Sequence, residues 1–119
     1  MIGNRILIVD TNVIVYCAVR KIDLFAAVRA MHEHYQPVLL DCIMEEIRRI
    51  GISETERNIA LKLAERFENL DSSGFGDDCI INFATEKKAA VLSNDLNLRR
   101  ILKAAGIRTY SLRQGKMIE

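Results

Sequence analysis

Short apolar runs of strand length alternate with stretches whose apolar residues repeat at helical spacing, and this alternation restricts the chain to few folds. Ile6-Leu7-Ile8-Val9 is continuous and rich in β-branched residues, as a strand buried on both faces should be. Pro37-Val38-Leu39-Leu40, Ala89-Ala90-Val91-Leu92 and the run Ile107 to Leu112 read as further strands. Helical segments lie between them, one from Val13 and one from about Leu24 to His34, where Phe25, Val28 and Met31 recur. Cys42 to Ile50 is a third, stopped by Gly51. Ser53-Glu54-Thr55-Glu56 has the form of a capping box and opens a helix to about Asn69, with the stripe Ile59, Leu63, Phe67 and Leu70. Asp71 to Gly76 is a loop, a helix starts near Asp77, and Leu96 to Ala105 is a helix closed by Gly106. Strands alternating with helices call for an α/β fold whose mainly parallel sheet is covered on both faces.

At 119 residues the chain is expected to be a single domain, residues 1–119, with half its residues hydrophobic and so enough to bury a core. One proline and no long Gly/Ser-rich stretch argue against linkers and disorder. Cys17, Cys42 and Cys79 are far apart, odd in number and set among apolar residues. Buried structural thiols in a reducing cytoplasm are the expectation. Met1 to Arg5 run directly into a strand-like segment without a signal-peptide layout, and Ile6 to Val19 is interrupted by Asp10 and Asn12 and too short to span a bilayer. A cytoplasmic protein with no membrane partner is expected.

The net charge of +1 does not advertise nucleic acid, but its distribution does more. From Glu86 to Glu119 there are eight basic residues against three acidic ones, a balance suited to a phosphate-bearing partner.

In a parallel sheet every strand presents its C-terminal end at one edge, where ligands bind at the point of strand-order reversal. Asp10, Asp41 and Asp95 follow apolar runs and fall on that edge. Carboxylates gathered there raise one another's pKa unless a cation lies between them, and hard cations such as Mg²⁺ take oxygen ligands. On the helix from Cys42, Ile43, Ile47 and Ile50 form the apolar stripe at about 100° per residue, with Glu46 on that side and Glu45 opposite with Arg48 and Arg49. An acid on a core-facing stripe is costly unless paired or metal-bound, which singles out Glu46. Asp77 and Asp78 open a helix, where either can be an N-cap or a first-turn acid, and periodicity does not choose between them. Asp41 reads as a cap, and Asp95 has the same alternative. His32 and His34 lie in a polar stretch far from these acids. Neither a nucleophile motif nor a Gly-rich phosphate loop is present.

Ile6-Leu7-Ile8-Val9-Asp10-Thr11-Asn12, then Glu46 in Met44-Glu45-Glu46-Ile47, then Asp77-Asp78-Cys79-Ile80-Ile81, then Ser93-Asn94-Asp95, resemble a PIN-domain nuclease across essentially the whole chain. Gly76-Asp77-Asp78-Cys79-Ile80 and Tyr110-Ser111-Leu112-Arg113 look most like the archaeal and eukaryotic branch linked to ribosomal RNA processing, and the toxin branch, VapC, shares the acidic pattern. The resemblance implies a three-layer PIN-like fold with a central sheet of four to five strands. It implies Mg²⁺ or Mn²⁺ ligands at Asp10, Glu46, Asp78 and Asp95, Asp78 being favoured over Asp77 because a small residue and then aliphatics follow it. Thr11, Asn12 and Ser93 match supporting polar positions. Asn97 stands where many relatives carry another acid, which bears on whether a second metal is held.

The activity so implied is metal-assisted hydrolysis of RNA to products with a 5′-phosphate and a 3′-hydroxyl. Arg99, Arg100 and Lys103 are expected to hold the backbone of a single-stranded or looped RNA without choosing sequence. The resemblance also implies a homodimer, and an antitoxin or a ribosome-assembly partner to supply specificity. The rival expectations are a VapC-type toxin ribonuclease and a non-catalytic PIN scaffold that binds RNA or protein. A haloacid-dehalogenase-type phosphotransfer domain needs a second Asp two positions after the first, where this chain has Asn12.

Overall fold

The computed structural model describes residues 5–119, so the expected lead-in Met1 to Arg5 falls, but for Arg5, outside the described residues. Strand β1 (Arg5–Val9) ends where Asp10 caps helix α1 (Thr11–Arg20), its carboxylate accepting from the Thr11 amide at 2.8 Å. Asp23 caps the short α2 (Leu24–Arg29), which ends before His34 because the chain must turn back into β2 (Tyr35–Leu40). Helix α3 (Asp41–Arg49) follows β2 directly. Its C-terminal carbonyls are held by Arg57, whose guanidinium donates to Ile47 O and Ile50 O at 2.7 Å each. Ser53 caps α4 (Glu54–Ala64) by accepting from the Glu56 amide at 3.1 Å, as the capping box predicts.

Beyond Ala64 the expected helix stops, and Glu68–Leu70 form a short edge strand, β3. Pairing with β2 and the stacking of Phe67 on Phe25, ring centroids 4.6 Å apart, outweigh helical periodicity here. The buried face of α4 is Ala60 and Ala64, while Ile59 of the expected stripe is exposed. Small side chains let α4 approach α1 closely. Helix α5 (Gly76–Lys87), β4 (Ala90–Leu92), α6 (Leu96–Ala104) and β5 (Thr109–Arg113) follow, and β6 (Lys116–Ile118) folds back antiparallel on β5.

The sheet order is β3-β2-β1-β4-β5-β6, six strands that are parallel except for β6. The two beyond the expected four are three-residue edge strands too short to show a periodic pattern. The central strands β1 and β4 are buried on both faces, with Leu7, Ile8, Val9, Val91 and Leu92 fully enclosed. The chain leaves β1 toward β2 and returns on its other side as β4, so strand order reverses between them. That reversal sets a crevice at the C-terminal ends of β1 and β4. No described helix is long and apolar enough to cross a membrane.

One cysteine expectation is corrected. Cys42, in the first turn of α3, and Cys79, in the first turns of α5, are joined by a disulfide, with Cα atoms 6.7 Å apart. Thirty-seven residues separate them, and only the folded topology brings those helix starts together. Cys17 is the buried free thiol expected, and burial pushes its pKa up to about 12.

Candidate functional site

The crevice is built from two strand ends stitched together. Asp10 leaves β1 with its amide bonded to Leu92 O of β4 at 2.9 Å. Its carboxylate accepts from Thr11 N and, at 2.7 Å, from the Ser93 hydroxyl. That hydroxyl oxygen in turn accepts from the Asp95 amide at 3.0 Å. Asn94 extends the stitching: its amide donates to Asn12 Oδ1 at 3.2 Å, and its own Oδ1 accepts from the Leu112 amide of β5 at 2.9 Å. Asn94 is a positioning residue that a search for acids passes over, although it sits inside the Ser93-Asn94-Asp95 motif.

Asp10 is 7% exposed, and burial is the main reason its pKa rises from 3.8 to about 6. Its two hydrogen bonds oppose that rise, and the charges of Glu46 and Asp77 add to it. Asp77 is raised as well, by desolvation and then by Asp95, Glu46 and Asp78. One electrostatic field therefore joins Asp10, Glu46, Asp77 and Asp95. Asp78, the acid favoured by the family pattern, enters it as a neighbour of Asp77. Both aspartates are exposed in the first turn of α5, behind Phe75 at the N-cap. Asp95 caps α6, accepting from Asn97 N at 2.9 Å and Leu98 N at 3.2 Å, so its capping and site positions coincide.

Glu46 is exposed at the margin of the α3 stripe, whose buried members are Ile43 and Ile47. The core-facing position expected for it is corrected to a rim position that still couples to Asp10 and Asp77. Glu45 faces solvent, bridged to Arg48 at 3.2 Å and Arg49 at 3.3 Å. Asp41 is the first residue of α3 rather than its cap, and it accepts from the amide and hydroxyl of Ser72. His32 and His34 are exposed before β2, at the opposite edge of the sheet.

Among the described residues none of Asp10, Glu46, Asp77, Asp78 and Asp95 has a basic side chain in ion-pair contact. Also among the described residues, no three His, Cys, Asp or Glu side chains converge closely enough to hold a metal as they stand. The chemistry of the set nonetheless fits a hard divalent cation, because every donor is a carboxylate oxygen and Glu46 and Asp77 are exposed. The buried Thr11 hydroxyl beside Asp10 has no hydrogen-bond partner, a polar atom left unsatisfied next to the acid. On α6, Arg100 and Lys103 are exposed, and Arg99 is half-buried with an unpartnered Nε.

Comparison with known proteins places the chain in a family. The PIN like domain matches residues 7–115. The rRNA-processing protein fcf1 of Schizosaccharomyces pombe is 38% identical over 118 residues, which cover 92% of this chain and 60% of that protein. The chain thus spans 60% of that relative's length. Ribonuclease VapC9 of Archaeoglobus fulgidus is 27% identical over 119 residues, covering 96% of this chain and 87% of its own. The solved PIN domain endonuclease Utp24 superposes with a TM-score of 0.77 at 37% identity, covering 94% of this chain and 88% of that one. VapBC2 from Rickettsia felis, solved with a DNA fragment from its promoter, shares the fold at a TM-score of 0.66 and 14% identity. With a sheet and helices matching those of Utp24 and a family match over nearly its whole length, the chain belongs to the PIN-domain family of nucleases, among relatives in rRNA processing and the VapC ribonucleases.

Proposed function

We propose that this chain is a metal-dependent endoribonuclease that hydrolyses RNA phosphodiester bonds in RNA processing, ribosomal RNA foremost. The observation that carries the reading is the joining of Asp10 and Asp95 through the Ser93 hydroxyl at the strand-order reversal, with Glu46 and Asp77 near enough to act on Asp10 and, among the described residues, no basic side chain paired with any of the four. Packing four acids without a counter-charge costs stability, and a cation offsets that cost. When bound, Mg²⁺ or Mn²⁺ supplies an activated water and neutralises charge on the phosphate.

The chain's own residues do the positioning. The Ser93 hydroxyl and the Thr11 amide fix the Asp10 carboxylate, and the first amides of α6 fix Asp95, so two acids are held in place by hydrogen bonds. Glu46 and Asp77, exposed on α3 and α5, lie near enough for their charges to act on Asp10. Asp78 stands next to Asp77 as the alternative fourth acid. The unpartnered Thr11 hydroxyl is placed to orient a water beside Asp10. Arg99, Arg100 and Lys103 on α6 hold the flanking phosphates.

The test is cleavage of a labelled single-stranded RNA with Mn²⁺ or Mg²⁺, comparing wild type with Asp10→Asn. Metal-dependent cleavage abolished by EDTA and by the variant supports the nuclease. Equal inactivity with equal RNA binding replaces it with the scaffold reading.

The similarity to ribonuclease VapC9 favours a second reading, the same hydrolysis in a toxin restrained by an antitoxin. Growth arrest on induction, relieved by co-expression of a small gene immediately upstream, distinguishes the toxin from the RNA-processing enzyme.

A further inference from the structure

Phe75 is 89% exposed, far more than any other exposed large hydrophobic side chain among the described residues. It occupies the N-cap of α5, where Ser, Thr, Asp or Asn is favoured, and its side chain makes no capping bond. Its neighbours Gly74 (φ 91°) and Gly76 (φ 55°) both adopt left-handed backbone that other residues rarely take. Two such reversals hold Phe75 extended and proud of the surface, just ahead of Asp77. A position that gives up a cap to display an aromatic ring breaks a local rule, and such breaks concentrate at functional sites.

The ring lines one side of a groove of about 710 Å³, with Glu46, Arg48 and Arg49 of α3 on another. Glu46 lines the groove and is also among the acids whose charge reaches Asp10, so groove and crevice are neighbours through this residue. Arg48 and Arg49 both pair with the single carboxylate of Glu45 and are the basic side chains of a lining that also carries Asp41 and Glu46. Exposed pairs of this kind are weak and exchange readily for phosphate oxygens. The Cys42–Cys79 bond ties the two helix starts beside the groove.

We propose that this groove is a nucleobase subsite, in which Phe75 stacks on one unpaired base of the RNA strand entering the acid crevice while Arg48 and Arg49 hold the adjacent phosphate. The proposal rests on the nuclease reading and deepens it by naming a single-stranded substrate. Stacking on an aromatic ring tolerates any base, so the subsite gives affinity and register rather than sequence choice.

The test measures dissociation constants in EDTA, without cleavage, for a short labelled single-stranded RNA and for copies carrying one abasic nucleotide at each position in turn. Phe75→Ala is expected to weaken binding about ten-fold, and Phe75→Trp to restore it. One abasic position weakens wild type by a similar factor and weakens Phe75→Ala no further, the signature of a shared contact. Additive losses, or unchanged affinity in a Phe75→Ala protein with wild-type circular dichroism, overturn the subsite. So does a variant that binds RNA normally but elutes as a smaller species, which makes Phe75 a protein contact. Wild type that cleaves RNA with a KM untouched by Phe75→Ala loses the subsite and keeps the nuclease. Wild type that neither binds nor cleaves RNA loses both.

Discussion

The Ser93 hydroxyl donates to Asp10 Oδ2 at 2.7 Å and accepts from the Asp95 amide at 3.0 Å, so one fully buried side chain joins the acids that end β1 and β4. Ser93→Ala removes both bonds and leaves two groups short of a partner. With a metal bound, loss of a hydrogen bond that orients a ligand typically costs about 10–100-fold in activity or metal affinity. The variant is expected to fold, to lose cleavage within that range, and to need more Mn²⁺ for half-maximal rate. An unchanged metal requirement in a folded Ser93→Ala protein removes Ser93 from the site.

Asp10 makes metal-free stability depend on pH in a direction opposite to most aspartates. Its folded pKa of about 6 lies above the ordinary aspartate value of 3.8, so the native state binds more protons between those values. Stability from this group therefore falls as pH rises from about 4 to 6 and stays low above, by an amount on the order of 3 kcal/mol. In EDTA at pH 7.5, Asp10→Asn should melt above wild type, and the gap should close as pH drops below about 4. Thermal denaturation across pH 3.5–7.5 checks this. A variant melting below wild type at pH 7.5 contradicts the burial argument.

Asp77 and Asp78 are adjacent, and their substitutions separate two readings of the fourth acid. The field joining Asp10, Glu46 and Asp95 to α5 runs through Asp77. Asp77→Asn is expected to reduce kcat by about 10–100-fold, as loss of a metal-orienting group does. Asp78→Asn is expected to stay within a few-fold of wild type. The reverse order in single-turnover cleavage restores Asp78 to the place the family pattern gives it.

Asp10 and Asp95 are legible in the sequence because each follows an apolar run that reads as a buried strand, and parallel topology then brings strand ends to one edge, whereas Ser93 enters only through the family resemblance. Glu46 is legible as a candidate by its place on α3, but its exposure is not, since a residue at the stripe's margin differs little in angle from one facing the core. The choice at Asp77 and Asp78 escapes periodicity because the first turn of α5 has no preceding turn to fix its phase. Ala60 and Ala64 escape for another reason: a pattern search weights large side chains, whereas the close contact of α4 with α1 selects small ones. The Cys42–Cys79 pair and the Phe75 groove depend on contacts between α3 and α5 that no local signal encodes.

The Cys42–Cys79 bond closes 37 residues of chain, for which the loop-entropy argument gives about 4 kcal/mol of stabilisation. Because it joins the helix carrying Glu46 to the one carrying Asp77, opening it should affect the site as well as the fold. Reduction is expected to lower Tm by roughly 10–15 °C. Cleavage should fall in parallel at temperatures where the reduced protein is still folded, since the two exposed acids lose their fixed spacing. The buried Cys17, its thiol pushed up by burial, reacts slowly with alkylating reagent in the native state. Mass spectrometry after alkylation in denaturant without reductant should therefore label Cys17 alone, and all three cysteines after reduction. Three labelled cysteines in unreduced protein, with a Tm indifferent to reductant, would show that α3 and α5 are held by packing alone.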